Sequence, residues 1–324
     1  MAKASRLQGR ETVNARFRKY DPAVDFLGVR KLLVDTFDAF DRPLNWRIER
    51  WNYARHFEAP YLCRDEEITP EKSRDAIRFW EASVGIWEDE EDGIVGAVHT
   101  EHPALGDAFI QRHPRHLDLL VDMLDYAESR LADRGKGVLR IFVYEHDRDM
   151  LPLVEARGYR KIEEDWDYDQ EISVRDLPPP DLPIGYSIVS MADMGDLRAR
   201  GRAFGLGFDH PEPKHWAPVH VYEELQRAPD YRRYLDLCVV APDGEIASFC
   251  IVWYDARNRI GSLEPVGTVP WHRKMGLAKA VISEGARRVA AMGAERLIVG
   301  GGQEFYSKMG FGKTHTCYGW TKAL

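Results

Sequence analysis

The sequence has few cysteines, no long apolar run and no excess of positive charge. Its four cysteines are scattered, without the close spacing of zinc ligands or of a disulfide framework: Cys63, Cys238, Cys250 and Cys317. We therefore expect buried thiols in a reducing compartment and no metal site. No uncharged apolar stretch approaches the roughly 20 residues of a membrane span, and the basic start lacks the apolar segment of a signal peptide. The sequence thus predicts a cytoplasmic protein without a membrane partner.

The charge balance is acidic, with a formal net charge of -8 at pH 7. Binding to nucleic acid depends on a basic face that releases counterions, and the sequence shows none, so we expect no nucleic-acid partner. An acidic surface is compatible with a cationic substrate. Hydrophobic residues make up 44% of the chain and aromatic residues 11%, which is typical of a globular protein with packed cores.

The clearest break in the chain is a proline-rich stretch from Arg175 to Pro183. Prolines fit neither helix nor sheet interiors and favour stiff, extended chain. A chain of 324 residues is also longer than one core usually supports. We therefore predict two domains, 1–175 and 184–324, joined by a linker at 176–183.

Hydrophobic periodicity predicts nearly the same order of elements in both halves. After the linker the order is β-α-α-β-β-β-α-β-α-β, with a helix from Met191 to Phe208 and a strongly amphipathic one from Gly276 to Met292. In the first half, helices over 24–37 and 46–57 precede strands over 83–87, 94–100 and 108–111. The acidic residues 88–92 are predicted to form the solvated tip of a hairpin rather than a metal site. The predicted fold class is α+β, an α/β three-layer arrangement of two tandem domains, each with a mixed, mostly antiparallel sheet flanked by helices.

The segment from Leu263 to Ala280 has the pattern of a strand, a glycine-bearing turn and a helix start. Free backbone N–H groups at a helix N-terminus, together with the helix dipole, bind phosphate oxygens. Gly276 has no Cβ to block a close approach, and Arg273 and Lys274 could add cationic contacts. Taken alone, however, the segment is more simply explained as an ordinary helix start with basic residues facing water.

Two motifs together are more informative than the turn alone. Arg273-Lys-Met-Gly276-Leu-Ala278 follows a strand, and Phe305-Tyr306-Ser-Lys-Met-Gly310-Phe311 comes later in the chain. In these motifs the sequence resembles the GCN5-related N-acetyltransferase (GNAT) superfamily, whose signatures are Gln/Arg-x-x-Gly-x-Gly/Ala and Leu-Tyr-x-x-x-Gly-Phe. The resemblance implies an acyl-CoA-dependent N-acetyltransferase that moves an acetyl group directly from acetyl-CoA to the amine of a small molecule, without a metal.

The resemblance also implies where acetyl-CoA binds. In the superfamily the backbone of the turn holds the CoA pyrophosphate, which here corresponds to Arg273, Lys274, Met275, Gly276, Leu277 and Ala278. The pantetheine arm pairs with the preceding strand as an added strand would. Its implied partners are Val266, Gly267, Thr268 and Val269, and a backbone N–H between Val266 and Thr268 is the expected oxyanion donor.

Two side chains are predicted to take part in the reaction. An alkyl ammonium has a pKa of about 10.4, so a base is needed to make the amine neutral at pH 7. Glu264, on the strand before the turn, is the candidate base. An alternative role of equal weight is that its carboxylate binds the positive charge of the substrate. Tyr306 stands at the superfamily's general-acid position and would protonate the departing thiolate. Its alternative role is packing ahead of Gly310-Phe311.

Other candidates are less favoured. His272 can titrate near neutral pH, but at a helix start it is expected in solvent or near phosphate. A route through an acyl-cysteine at Cys250 or Cys317 lacks a histidine partner in the sequence pattern.

The first half is predicted to be a degenerate GNAT-like domain without a functional acyl-CoA site. When Gly135 is aligned with Gly293, Asp118 falls opposite Gly276, so a carboxylate replaces the glycine that would meet phosphate. Val154 stands where the second motif has its tyrosine. We expect this half to wall the acceptor site or to stabilise the other half.

The acceptor and the oligomeric state stay open at this point. Aromatic and acidic residues of the first helices of each half either line the acceptor site or belong to the core: Trp46, Trp51, Tyr53, Phe204, Phe208, Asp209, Trp216 and Tyr222. Alternative functions are a CoA-binding or regulatory protein without catalysis and an acyltransferase with a longer acyl-CoA donor. The protein is expected to be a monomer or a homodimer.

Overall fold

The computed structural model of the protein describes residues 15–37, 39–40, 42–61, 67–91 and 93–324. In this part of the chain one large, mostly antiparallel sheet is flanked by helices, which confirms the predicted α+β fold class. The strands are β1 (Arg16–Lys19), β2 (Gly85–Asp89), β3 (Gly93–His99), β4 (Asp107–Arg112), β5 (Val138–Tyr144), β6 (Arg160–Ser173), β7 (Ser187–Ser190), β8 (Asp236–Val240), β9 (Ile246–Asp255), β10 (Ile260–Thr268), β11 (Arg296–Val299) and β12 (Gly312–Ala323). Among the helices described, none combines the length and the apolar character that a membrane crossing requires.

The helices follow the predicted order with two differences. They are α1 (Asp25–Thr36), α2 (Ile48–Tyr53), α3 (Ala59–Tyr61), α4 (Pro70–Ser83), α5 (Leu120–Tyr126), α6 (Met150–Ala156), α7 (Met191–Met194), α8 (Leu197–Gly207), α9 (Val219–Leu225), α10 (Leu277–Ala291) and α11 (Glu304–Lys308), with π-helical turns at Ala54–Glu58 and Ala127–Leu131. Helix α4 was not predicted. The single helix predicted from Met191 to Phe208 is wrong, because Gly195 takes the left-handed conformation, ends α7 and separates it from α8.

The predicted hairpin around the acidic residues 88–92 is present, but Glu88 and Asp89 belong to β2 and Asp89 is buried, so these two residues do not form the predicted solvated tip. Strands β2 and β3 pair antiparallel on either side of it, with Asp89 in register with Gly93. Asp92, at the predicted turn, and Cys63 lie outside the described residues.

The last strand of each half is exchanged. Along the sheet the order is β1-β2-β3-β4-β5-β12-β6-β11-β10-β9-β8-β7. Strand β12 therefore lies beside β5 of the first half, and β6 lies beside β11 of the second half. The two exchanged strands pair with each other at the centre, where Cys317 is in register with Asp167. The halves thus share one continuous sheet, which was not predicted, while residues 176–183 connect β6 to β7 outside any helix or strand.

A helical run of the first half covers one face of the second half. Residues 48–61 pack against β9, β10 and α9. Phe57 is fully buried there, with its ring centroid 4.9 Å from that of Phe204 and 5.5 Å from that of Tyr222. On the opposite face, α10 packs against β8, β9 and β10. The end of β10 is therefore enclosed by elements of both halves.

Candidate active site

The turn before α10 leaves part of its backbone open to a ligand. After β10, Pro270–His272 form a 3-10 turn, and Lys274 (φ 63°) and Gly276 (φ 82°) then take the left-handed conformation. Gly276 is the N-cap of α10, and no described heavy atom beyond its chain neighbours lies within 4 Å of the position that a Cβ would take there. A ligand can therefore approach the backbone closely on that side.

The backbone N–H groups of residues 274–279 have no protein acceptor among the described residues. By contrast, the N–H of Arg273 donates to Pro270 O (3.2 Å) and that of Ala280 to Gly276 O (3.0 Å). Consecutive free N–H groups at the positive end of a helix are suited to phosphate oxygens. The turn at which the sequence predicts the CoA pyrophosphate thus has a backbone that fits a phosphate from Lys274 onward.

Arg273 itself is engaged elsewhere. Its Nε donates to Thr268 O (3.1 Å), and its Nη2 donates to Gly207 O (3.1 Å) and to Asp209 Oδ1 (2.7 Å). The guanidinium therefore ties the end of β10 to the loop after α8. A cationic contact from Arg273 to a phosphate would compete with the carboxylate of Asp209.

Strands β10 and β11 separate just before the turn. Their parallel pairing covers residues 260–262 and 296–298, and the pairing of β10 with β9 shifts register between Leu263 and Val266. Beyond the shift, the N–H of Val269 donates to Ala247 O at 2.9 Å. Backbone groups alternate in direction along an antiparallel strand, so Val266 and Thr268 direct theirs away from β9 and into the gap. An extended ligand could pair with this strand edge, as expected for pantetheine.

Gly267 lies between these two residues, in register with Phe249 of β9. A Cβ at Gly267 would lie 2.3 Å from Phe249 Cζ, so no larger residue fits without moving the ring. Phe249 is fully buried, which fixes the glycine at this point of the strand.

Glu264 lies at the start of the gap and is half-buried. Its backbone is held by Trp253, whose Nε1 donates to Glu264 O at 2.7 Å. Burial raises the pKa of its carboxyl to about 8. The charged groups that act on the carboxyl belong to the first half: Arg50, which lowers the pKa, and Glu49, Glu58 and Glu101, which raise it.

These four charged residues were missed from the sequence. Glu49 and Arg50 lie on α2 between the buried residues Ile48 and Trp51, Glu58 ends the π-helical turn that follows, and Glu101 binds Arg50. Two charged residues within a mostly buried helix were a local signal for polar contacts. Their place beside Glu264 depends on how the two halves pack, which no local pattern encodes.

Tyr306 lies on α11 and is 7% exposed. Burial raises the pKa of its phenol, and Cys250 and Glu264 act in the same direction. Its ring packs edge-on against Phe311, with centroids 5.5 Å apart. Both predicted roles of Tyr306 are therefore compatible with its place: the ring belongs to the core, and the phenol keeps the proton that a general acid would give.

The described thiols are poor nucleophiles. Burial raises the pKa of Cys238 and of Cys317 to about 12 and raises that of Cys250 as well. Since the thiolate is the reactive form, none of these thiols is activated for attack on a thioester. Among the described residues no group of three or more His, Cys, Asp or Glu side chains could hold a metal ion.

His272 is buried rather than in solvent, which was one of the two places expected for it, and its place near a phosphate stays a prediction. It is 9% exposed, its Nδ1 lies 3.0 Å from the hydroxyl of Tyr186, and its Nε2 lies 3.2 Å from Glu245 Oε2. These contacts fix the 3-10 turn that leads into the free N–H groups.

The first half has the same loop as the second motif, but a valine replaces the tyrosine that corresponds to Tyr306. The N–H of Tyr159 donates to Val154 O at 3.0 Å, and that of Phe311 donates to Tyr306 O at the same distance. Val154 therefore occupies the place of Tyr306, in agreement with the sequence alignment. Asp118 lies in a 3-10 turn before α5, where the second half has its open glycine.

The gap between β4 and β5 is filled by side chains. Phe109 and Phe142 stack face to face across it, with centroids 4.5 Å apart and planes 1° from parallel. The amide of Asn45 exchanges two hydrogen bonds with the backbone of Arg112, at 2.9 Å to its N and 2.7 Å to its O. The backbone groups of Arg112 are thus already satisfied on the side where a pantetheine arm would pair.

Most of the aromatic residues suggested as acceptor walls belong to the core. Trp51 and Tyr222 are fully buried, and Trp46, Tyr53 and Phe204 are buried as well. Two other members of the set lie at the surface of the loop after α8, with Phe208 42% exposed and Asp209 bound to Arg273.

Residues 203–311 match the model of the acetyltransferase (GNAT) family. The matched segment begins within α8 and ends just after α11, so it includes the turn, Glu264 and Tyr306. A comparison with curated proteins finds no match.

Solved structures resemble nearly the whole chain. A GCN5-related N-acetyltransferase from Sphaerobacter thermophilus is 18% identical, with 96% of each chain covered and a TM-score of 0.57. A tandem GNAT protein from the clavulanic acid biosynthesis pathway is 14% identical, over 85% of this chain and 94% of that one, with a TM-score of 0.55. A GCN5-related glucosamine N-acetyltransferase region of a fungal multi-domain β-N-acetylglucosaminidase is 15% identical, over 96% of this chain and 38% of that one, with a TM-score of 0.52. At these identities the likeness concerns the fold.

Proposed function

We propose that the protein transfers an acetyl group from acetyl-CoA to the amine of a small molecule, because residues 203–311 match the GNAT family and the fold of the chain is similar to that of GNAT structures, one of them a tandem GNAT protein. The family match supports an acyl-CoA-dependent acyltransferase, and the acetyl donor and the amine acceptor are the proposal. In this proposal the first half binds no acyl-CoA, because Phe109 and Phe142 stack in the gap between β4 and β5.

One observation carries the proposal: Glu264 lies at the start of the gap between β10 and β11 that leads to the free N–H groups of residues 274–279. The turn would bind the pyrophosphate, and the backbone of Val266 together with the N–H of Thr268 would pair with the pantetheine arm. This arrangement would bring the thioester to the part of the gap beside Glu264.

The chemistry follows from these positions. Glu264, as a carboxylate, takes a proton from the substrate ammonium, and the neutral amine attacks the thioester carbonyl to form a carbon–nitrogen bond. A backbone N–H of the β10 edge would stabilise the oxyanion of the tetrahedral intermediate. The intermediate then breaks its carbon–sulfur bond as the departing thiolate takes a proton from the phenol of Tyr306, and the resulting phenolate takes the excess proton from the attacking nitrogen. The products are an amide, CoA with a free thiol and one released proton.

Direct transfer is supported over an acyl-cysteine intermediate. Cys250 is in register with Val266 of β10 and Cys317 is in register with Asp167 of β6, and the raised pKa of each keeps the thiol protonated. A protonated thiol does not compete with an amine that Glu264 has deprotonated.

The test is release of CoA thiol from acetyl-CoA across a panel of small amines, with acetyl-CoA binding measured separately by calorimetry. We expect turnover with at least one amine, a fall of about 100-fold or more in kcat for Glu264→Gln, and a smaller fall for Tyr306→Phe, which keeps the packing ring. Binding of acetyl-CoA without turnover on any amine would favour a CoA-binding protein without catalysis. Faster turnover with a longer acyl-CoA would replace acetyl as the donor.

A further inference from the structure

Three consecutive glycines, residues 300–302, follow β11 at the place where it separates from β10. Gly301 (φ 92°) and Gly302 (φ 42°) take the left-handed conformation that favours glycine. Strand β6 fixes this loop, because the N–H of Gly301 donates to Asp167 Oδ1 at 2.8 Å and the hydroxyl of Tyr168 donates to Gly302 O at 3.0 Å. A strand of the first half therefore shapes one edge of the gap.

Gly300 lies across the gap from Glu264. Ser262 of β10 and Ile298 of β11 are in register, and Glu264 and Gly300 follow them by two positions each. Side chains two positions apart on a strand point to the same face of the sheet. Glu264 and the place that a side chain of Gly300 would take are therefore on one face, and the glycine leaves the space between the two strands open.

The point that a Cβ of Gly300 would occupy is lined by carboxylate oxygens. Apart from Gly300 and its chain neighbours, the described heavy atoms within 4 Å of that point are Asp167 Oδ2 at 3.7 Å and Asp169 Oδ1 at 3.8 Å. Carboxylate oxygens accept charge-assisted hydrogen bonds from cationic N–H donors. An ammonium group above Gly300 would thus meet acidic oxygens of β6 on one side and face Glu264 on the other.

Among the described residues Asp167 has no arginine partner, unlike three other acidic residues at alternate positions of β6. Each of these three binds an arginine at 2.7 to 3.0 Å: Asp165 binds Arg140, Asp169 binds Arg47 and Glu171 binds Arg296. The two hydrogen bonds that Asp167 accepts, from the N–H groups of Tyr168 and Gly301, both reach Oδ1. Asp167 is exposed, so its Oδ2 is open to a ligand.

We propose that Asp167, on the strand that the first half supplies, binds the ammonium group of the acceptor above Gly300 and holds it next to Glu264, which takes the proton. This inference rests on the acetyl transfer proposed above. It separates the two roles considered for Glu264, because Asp167 binds the charge and Glu264 removes the proton. The acceptor arrives as a cation, so an alkylamine is preferred over an arylamine, which is neutral at pH 7. After the proton transfer, a remaining N–H of the amine donates to Asp167 while the nitrogen attacks.

The first experiment measures thiol release by the full-length protein with 1-aminobutane, benzylamine and aniline. We expect kcat/KM for benzylamine to exceed that for aniline by at least about tenfold, because only the alkylamine carries the charge that Asp167 binds. In Asp167→Asn the KM for the alkylamines should rise at least about tenfold while kcat changes less than about threefold, and Asp167→Glu should recover most of the loss. Asp165→Asn is the matched control, since Asp165 lies on the same strand and already binds Arg140.

A second variant tests the place of the ammonium rather than the charge that binds it. Gly300→Ala puts a methyl group at the proposed ammonium position, and its contacts of 3.7 and 3.8 Å are compatible with the fold. We expect the KM for the alkylamines to rise at least about tenfold and acetyl-CoA binding in calorimetry to stay unchanged. Gly312→Ala is the control, because a Cβ there would also make an ordinary contact, 3.9 Å from Glu171 O.

An unchanged KM in either Asp167→Asn or Gly300→Ala, for every alkylamine that is turned over, would overturn this role of Asp167 while acetyl transfer stands. A kcat/KM for aniline that equals or exceeds that for benzylamine would do the same. Failure of every amine to release thiol would overturn the acetyl transfer itself, and the two failures are thus distinguishable.

Discussion

Arg50, on α2 of the first half, is the cation that acts on the carboxyl of Glu264, on β10 of the second half. The guanidinium is fixed by its two hydrogen bonds to Glu101 and lies 4.9 and 5.4 Å from the ring centroids of Trp46 and Phe109. The candidate base thus has its charge environment set by the half of the chain whose own gap is filled.

The raised pKa of Glu264 predicts how activity depends on pH. A base acts as the carboxylate, so with a pKa of about 8 the value of kcat/KM should rise with pH, with a midpoint near pH 8, and fall about tenfold per unit well below it. The acceptor amine titrates near 10.4 and lies outside this range. Thiol-release kinetics between pH 6 and 9 would check this, and Glu264→Gln should remove the plateau above pH 8, leaving a lower rate that follows the fraction of neutral amine in solution. A flat profile over that range would exclude Glu264 as the base.

Removal of Arg50 should move that profile to higher pH. Arg50→Met removes the cation that favours the carboxylate of Glu264 and leaves the charge of Glu101 uncompensated, and both effects raise the pKa. We expect the midpoint of kcat/KM to move upward by about one unit, and by less in Arg50→Lys, which keeps the charge. Arg16→Met, in an exposed ion pair with Glu90, is the control. A midpoint that stays in place or moves downward would contradict the role given to Arg50.

The turn before α10 should decide acetyl-CoA binding. Gly276→Glu places a carboxylate beside the free N–H groups and forces a side chain onto a backbone with φ 82°. We expect the affinity for acetyl-CoA to fall by at least about two orders of magnitude in calorimetry, because like charges would meet there. Asp118→Gly, the matching change in the first half, should leave it unchanged, since Phe109 and Phe142 still fill that gap. A changed affinity in Asp118→Gly would indicate a second acyl-CoA site.

Phe57 should be important for the stability of both halves. Its ring is fully buried between α8 and α9 of the second half, so Phe57→Ala should lower the free energy of unfolding by about 3–5 kcal/mol in denaturant titrations. Because the sheet is continuous, we expect both halves to unfold in a single transition. Spectroscopic probes in either half should therefore report the same loss of stability. Phe79→Ala, at a position of α4 that is 42% exposed, should change the value by no more than about 0.5 kcal/mol. Two separate transitions would contradict the shared sheet.

Much of the fold follows from local patterns. The order of strands and helices was predicted because alternating and helical periodicities, and turn residues such as Gly293, act over a few positions. Helix α4 was missed because its buried face is small, with Ser73, Trp80 and Ser83 as its buried residues. Its start did carry a signal, since Thr69 accepts a hydrogen bond from the N–H of Lys72 and Pro70 is the first helical residue.

The exchange of β6 and β12 could not be read from the sequence. An alternating strand has the same pattern whichever neighbour it pairs with, so nothing local distinguishes β11 from β5 as the partner. The turn and Tyr306 were predicted because each belongs to a short motif. Glu49 and Arg50 were not, since residues more than two hundred positions from Glu264 come near it only when the halves pack together.

The exchanged strands also determine what happens when the chain is cut. Cleavage within residues 176–183 would break no helix, strand or ladder hydrogen bond, yet each fragment would carry a strand whose neighbours lie in the other. Neither fragment could complete its sheet alone, and each would expose an unpaired edge. Produced together in one cell, the two pieces should associate and restore a single molecule, so the proline-rich stretch is a natural place to divide this protein for fragment complementation.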